Sequence, residues 1–102
     1  MAQLMVIYSK PADTAAFDKH YAEVHTPLAK AIPGLRKFEL SHGGIGTPQG
    51  PSNYHLIAKL HFDDVAAIQA AFASPQGQAA AADLGNFAGA GVELLIFDTR
   101  EA

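Results

Sequence analysis

The chain has 102 residues, 49% of them apolar and 17% charged, with a net charge of −3 and a pI near 5.9. That is enough for one hydrophobic core and leaves no room for a second, so residues 1–102 read as a single domain. Basic residues are scattered from Lys10 to Arg100, which argues against nucleic acid as a partner. The early apolar run Leu4 to Tyr8 is too short to span a bilayer. With no cysteine in the chain, disulfide and thiolate chemistry are excluded, and a cytoplasmic, membrane-free location is expected.

In chain order, "LMVIYSKPAD" opens with five apolar residues and stops at Pro11, which predicts a strand buried on both faces. Asp13 stands where a helix cap belongs. Phe17, Tyr21, Val24 and Leu28 then recur at helical spacing, so a helix is predicted over residues 14–31, with Pro27 kinking or tightening its last turns and "IPGL" closing it. "LRKFELSH" alternates as a strand, with Arg36, Phe38 and Leu40 on one side and Lys37 and Glu39 on the other. The segment 43–53, "GGIGTPQGPSN", holds four glycines and two prolines and reads as a loop. "YHLIAKLHF" is a third strand, its Tyr54, Leu56, Ala58, Leu60 and Phe62 opposing His55, Ile57, Lys59 and His61. Asp63 is the expected cap of a second helix carrying Val65, Ile68 and Phe72. Ser74 and Pro75 begin a short Ala-rich third helix, and "GVELLIFD" is the last strand.

The order β-α-β-β-α-β, with one extra helix, specifies an α+β domain: a ferredoxin-like four-stranded antiparallel sheet with helices on one face. The first and last strands are apolar on both sides, so the helix-free face would be a large exposed patch, and a homodimer packed sheet against sheet is the expected cover. On that face His55, Lys59 and His61 read as interface chemistry, with Glu39 as the carboxylate partner of Lys59.

The segments "FDKHYAEVHTPLAKAIPGLRKFE", "YHLIAKLHFDD", "AFASPQGQAAAADLGNFA" and "GVELLIFD" together resemble the ethyl tert-butyl ether degradation (EthD) family over nearly the whole chain. The resemblance implies a dimeric α+β barrel, in which two ferredoxin-like sheets close on each other. It also implies a small hydrophobic ligand held between sheet and helices, in a protein associated with oxidative degradation. Cofactor-free monooxygenases, isomerases and cyclases share the fold.

Within that frame His25 is the candidate catalytic residue. It borders the core stripe of the first helix and titrates near neutral pH, which suits a general acid or base; the structural alternative is a hydrogen bond near the Pro27 break. His20, Tyr8, Tyr21 and Tyr54 are the candidate substrate-binding residues. A tyrosine offers an apolar body with a polar tip, although each also fits as ordinary core. On a regular helix His20 and His25 lie about 140° apart, five steps of roughly 100°, so a metal held by both is not expected. The 43–53 glycines match neither the phosphate-loop nor the dinucleotide fingerprint, so no cofactor is expected. Three readings follow: a small cofactor-independent oxidoreductase, isomerase or cyclase acting on a ring-containing compound, a non-catalytic ligand-binding accessory protein, or a plain dimeric stability module with a filled core and no cavity. Asp83 and Asn86 are expected only to tie the third helix to its neighbours.

Overall fold

A computed structural model describes residues 1–102. β1 (Ala2–Ser9) is followed by α1 (Thr14–His20), a π-helical turn (Tyr21–His25) and α2 (Thr26–Lys30) in one continuous helical run. β2 (Lys37–Leu40) and a small hairpin, β3 (Gly46–Thr47) with β4 (Gly50–Pro51), lead to β5 (Tyr54–Phe62). α3 (Val65–Ala73), α4 (Pro75–Phe87) and β6 (Val92–Asp98) complete the chain. The main sheet has the order β2-β5-β1-β6, antiparallel throughout, with the helices on one face: the ferredoxin-like arrangement. No helix is long and apolar enough to cross a membrane.

Alternation in β1 separates the two faces. Ala2, Leu4, Val6 and Tyr8 are buried under the helices, while Gln3, Met5 and Ile7 are only half-buried on the other side. β1 is therefore closed on one face and open on the other. The core continues through Ala58, Leu60 and Phe62 of β5 and Ile68 of α3.

Local chemistry explains the element ends, with some departures from expectation. Asp13 caps α1 by accepting from the Ala16 N–H at 3.0 Å. The cap of α3 is Asp64, which accepts from the Ala67 N–H at 2.7 Å, and not Asp63. Asp63 instead forms a two-pronged pair with Arg36 at 3.0 and 2.8 Å. Ser74 caps α4 through the Gly77 N–H, with Pro75 in the first turn, and this helix is thirteen residues long rather than short. Glu39 stands across from Lys59 in register, yet its carboxylate bonds His61 at 2.7 Å and Lys37 at 3.5 Å.

Two larger departures shape the site. β5 carries an irregularity at its start, where Tyr8 pairs with Leu56 but Ser9 pairs with Tyr54. The extra residue, His55, turns to the helix side, where its Nε2 meets Asp18 at 2.7 Å and its ring meets Phe17 edge-on. His55 thus leaves the open face it was expected to occupy. In the first helix, Pro27 is followed by the expected tightened last turn, where the Ala31 and Ile32 N–H groups bond the Leu28 and Ala29 carbonyls three residues back at 3.3 and 3.1 Å, but it also changes the turn before it. It brings no N–H for the Glu23 carbonyl, and the helix answers by widening. The Tyr21 carbonyl accepts the Thr26 backbone N–H, five residues on, together with the Thr26 hydroxyl at 2.8 Å.

Candidate functional site

Between sheet and helices lies a partly open apolar cavity of about 60 Å³. Of its 15 lining residues 14 are hydrophobic, and the exception is His25. β1 supplies Tyr8 to this lining, the π-turn supplies Tyr21 and His25, and α4 supplies Ala80, Ala81 and Leu84.

The widened turn decides where the histidines point. Closing the helix over five residues instead of four brings positions 20 and 25 toward the same side, which a regular helix would not do. Both imidazoles consequently meet one carboxylate. Asp83, on α4, lies 3.0 Å from His25 Nδ1 and 3.0 Å from His20 Nε2. It also accepts from the Asn86 amide at 2.9 Å. Asp83 and His25 are 5% and 6% exposed, so this pair is taken out of water. Phe87, one turn beyond Asp83, covers both rings, with centroids 5.1 Å from His20 and 4.9 Å from His25.

Burial opposes the charge on Asp83, but hydrogen bonds from Asn86, His25 and His20 outweigh it and hold the carboxyl below the usual range. Burial also pushes His25 down, more than its bond to Asp83 lifts it. At neutral pH the site is therefore a carboxylate beside a neutral imidazole. With Nδ1–H donated to Asp83, the other nitrogen of His25, Nε2, carries the free lone pair. Burial pushes the Tyr8 and Tyr21 phenols strongly up, so both stay protonated.

Tyr8, Tyr21 and His25 are thus brought together on the cavity wall, with the Tyr21 ring centred 5.7 Å from Tyr8 and 5.1 Å from His25. The other two candidates lie elsewhere. His20 is behind Asp83, facing a groove it shares with Asp13 and Asn86. Tyr54 is 41% exposed in a separate polar cleft with Lys10, Asp18 and His55, formed where the start of β5 departs from regular pairing. Sequence reasoning missed Asp83 as the shared acceptor and Phe87 as the lid on both imidazoles. Their helical spacing, with Asn86, was the available signal: 83, 86 and 87 fall on one face of a helix. No group of three or more His, Asp or Glu side chains is arranged to hold a metal ion.

A ferredoxin-like sheet with helices on one face and an apolar cavity between them defines a class of small α+β domains. Residues 9–91 match the EthD domain, and the chain belongs to the EthD family. It is 44% identical over 99 residues to an uncharacterized 11.0 kDa protein from the thcB-thcC intergenic region of Rhodococcus erythropolis, covering 96% of this chain and 94% of that one. The crystal structure of an EthD family protein from Bacillus halodurans superimposes with a TM-score of 0.90 at 35% identity, over 98% of this chain and 99% of that one.

More distant structures share the fold alone. SnoaB from Streptomyces nogalater, described as a cofactor-independent oxygenase, has a TM-score of 0.67 at 18% identity, over 99% and 94% of the two chains. A Thermobifida fusca protein described as dimeric and ferredoxin-like has a TM-score of 0.68 at 17% identity, over 96% and 89%.

Proposed function

We propose that this EthD-family chain is a small cofactor-independent enzyme of the oxygenase, isomerase or cyclase type, acting on a hydrophobic ring-containing compound in a degradative pathway. His25 is its proton-transfer residue. One observation carries the reading: His25 donates Nδ1–H to a buried carboxylate while its ring lines an otherwise apolar cavity. A base so held has a fixed tautomer and a neutral resting state, which is what abstraction of a proton at working pH requires. Surrounding an acidic ligand with apolar walls strengthens every polar contact inside.

The same reading includes a homodimer. The helix-free face presents Met5, Ile7, Ile57, Leu95 and Phe97, with Leu95 49% exposed, and a second copy covers such a face by two-fold symmetry. Sedimentation at micromolar concentration is expected to give a particle of twice 10.7 kDa; a monomer overturns the dimer.

The activity test uses a panel of hydroxylated naphthalenes and anthracenes, followed by oxygen uptake and by chromatography of products. At least one compound is expected to turn over, and His25→Asn is expected to slow it by about 100-fold or more while calorimetric affinity holds. Turnover unchanged in His25→Asn refutes His25 as the proton-transfer residue. Tight binding without turnover in either protein favours the accessory, ligand-carrying alternative.

A further inference from the structure

The cavity is too small for a ring. Its volume is about 60 Å³. A single benzene molecule occupies a protein cavity of roughly 150 Å³, and one water takes about 30 Å³ of the liquid. The space that His25 lines therefore admits a substituent or the edge of a ring, and the rest of a ring compound must lie outside it.

The lining shows where. Leu94 of β6, 45% exposed, and Ala81 of α4 are the two lining residues that stand in solvent, so the cavity opens between β6 and the helices. Beside this opening runs an apolar groove of about 430 Å³, with Ile68, Gln69, Phe72 and Ala73 of α3 on one side and Leu94 and Ile96 of β6 on the other. Leu4, Phe72 and Leu94 line both spaces, which makes the groove the continuation of the cavity. Small-molecule sites span roughly 300–1,000 Å³, so the groove supplies the room that the cavity lacks.

Its walls favour a ligand over a second copy of the chain. Leu94 and Ile96 stand across from Val6 and Leu4, on the helix side of the sheet. A copy packed on the helix-free face, against Leu95 and Phe97, leaves them uncovered. Ile96 is 49% exposed, so two large aliphatic side chains remain in water at the mouth of the cavity, and a ligand lying across both would shield them. The two are about 7 Å apart along the strand, and residues 68 to 73 advance about 7.5 Å along α3. Both walls thus offer a stretch the length of two fused rings. Gln69 is the one polar residue of the groove and no charged side chain lines it, so this part of the ligand must be uncharged.

We infer that the ligand is an uncharged compound of at least two rings, whose ring system lies in the groove between α3 and β6 while a substituent or ring edge enters the cavity lined by His25. This rests on the reading of that cavity as the site of a hydrophobic ring compound, and it narrows the substrate class. A lone ring leaves most of the groove empty.

Phenol and 2-naphthol test this, because both are neutral at about pH 7, carry one hydroxyl and differ by one ring. Calorimetry compares the intact protein with Ile96→Asp and Ala73→Glu, which set a carboxylate on the groove from β6 and from α3 and leave the cavity lining intact. 2-Naphthol is expected to bind the intact protein at least about tenfold more tightly than phenol, through the extra apolar surface the groove covers. Each variant is expected to lower the ratio of 2-naphthol to phenol affinity about fivefold or more. NMR of the 2-naphthol complex should shift the Gln69 side-chain amide and the Ile96 methyls together with cavity residues. Sedimentation of Ile96→Asp should match that of the intact protein.

A fall of the ratio in either folded variant supports the groove. Equal affinity for the two compounds, a ratio unchanged in both variants, NMR shifts that spare the groove, or no binding of either compound overturns the inference. An unchanged ratio with altered sedimentation of Ile96→Asp assigns the groove to a contact between copies instead. If the ratio is unchanged while His25→Asn still slows turnover of a ring compound, the proton-transfer reading stands and only the groove falls.

Discussion

Asp83→Asn isolates what one buried carboxylate does for this fold. In the intact chain Asp83 receives three donors, from His20, His25 and Asn86, at 2.9 to 3.0 Å. A hydrogen bond to a charged group contributes about 1.5–3 kcal/mol against about 0.5–1.5 for a neutral pair, so each bond loses roughly 1 kcal/mol when the charge goes. Three bonds give about 3 kcal/mol; the quarter-exposed His20 is partly screened by water and lowers this to about 2–3 kcal/mol. For a domain of this length that is a fall in Tm of roughly 10–20 °C, since each kcal/mol moves Tm by about 4–8 °C.

Thermal melts by circular dichroism and urea titrations at neutral pH measure the loss, with an unchanged urea slope showing that stability alone has moved. The substitution also has a chemical signature. Asparagine keeps one acceptor oxygen where the carboxylate had two, so His20, His25 and the Asn86 amide can no longer all be satisfied, and nitrogen NMR of the imidazoles reads which of them loses its acceptor. A Tm within about 2 °C of the intact protein refutes the claim that Asp83 locks the first helix to α4.

The remaining predictions concern pH and packing. His25 is pushed below the ordinary histidine value near 6.5 by burial, so the unfolded chain takes up its proton first as pH falls. Stability is complete above about pH 6.5 and declines as pH drops toward the folded-state value, and Asp83, also held low, adds a further loss below about pH 4. Urea midpoints rising on acidification through this range refute the assignment. Gly77→Ala should destabilise by at least about 2 kcal/mol although alanine favours helices, because its Cβ would fall 2.1 Å from the Ala71 carbonyl oxygen and 2.7 Å from the Phe72 Cα. A gain in Tm would show that α3 and α4 do not cross this closely. Ile68→Ala, at a site with no exposure, should cost about 2–5 kcal/mol in chemical unfolding, and a loss under about 1 kcal/mol would remove Ile68 from the core.

The sheet was legible because its signals are local. Alternation marked β2 and β5, the capping aspartate and serine at 13 and 74 opened their helices, and the two-faced apolarity of β1 and β6 marked an open face. The site was legible only in part, and one local rule accounts for most of what was missed. Treating residues 14–31 as a regular helix set His20 and His25 about 140° apart and so hid their common partner. Pro27 was the clue. A proline strips the carbonyl four residues back of its donor, and the chain can kink, fray or widen in response. Sequence spacing does not choose among these, because the choice depends on what waits across the interface.

Here Asp83 and Phe87 of α4 wait, and a widened turn lets both imidazoles reach them. The Thr26 hydroxyl helps to hold the turn by bonding the Tyr21 carbonyl. His55 follows the same logic on a smaller scale, since one extra residue at the start of β5 moved it from the open face to Asp18. In both places a single irregular residue step reassigned a histidine. His25 and His55 are placed by breaks in periodicity, which are set by tertiary partners and which periodicity itself cannot reveal.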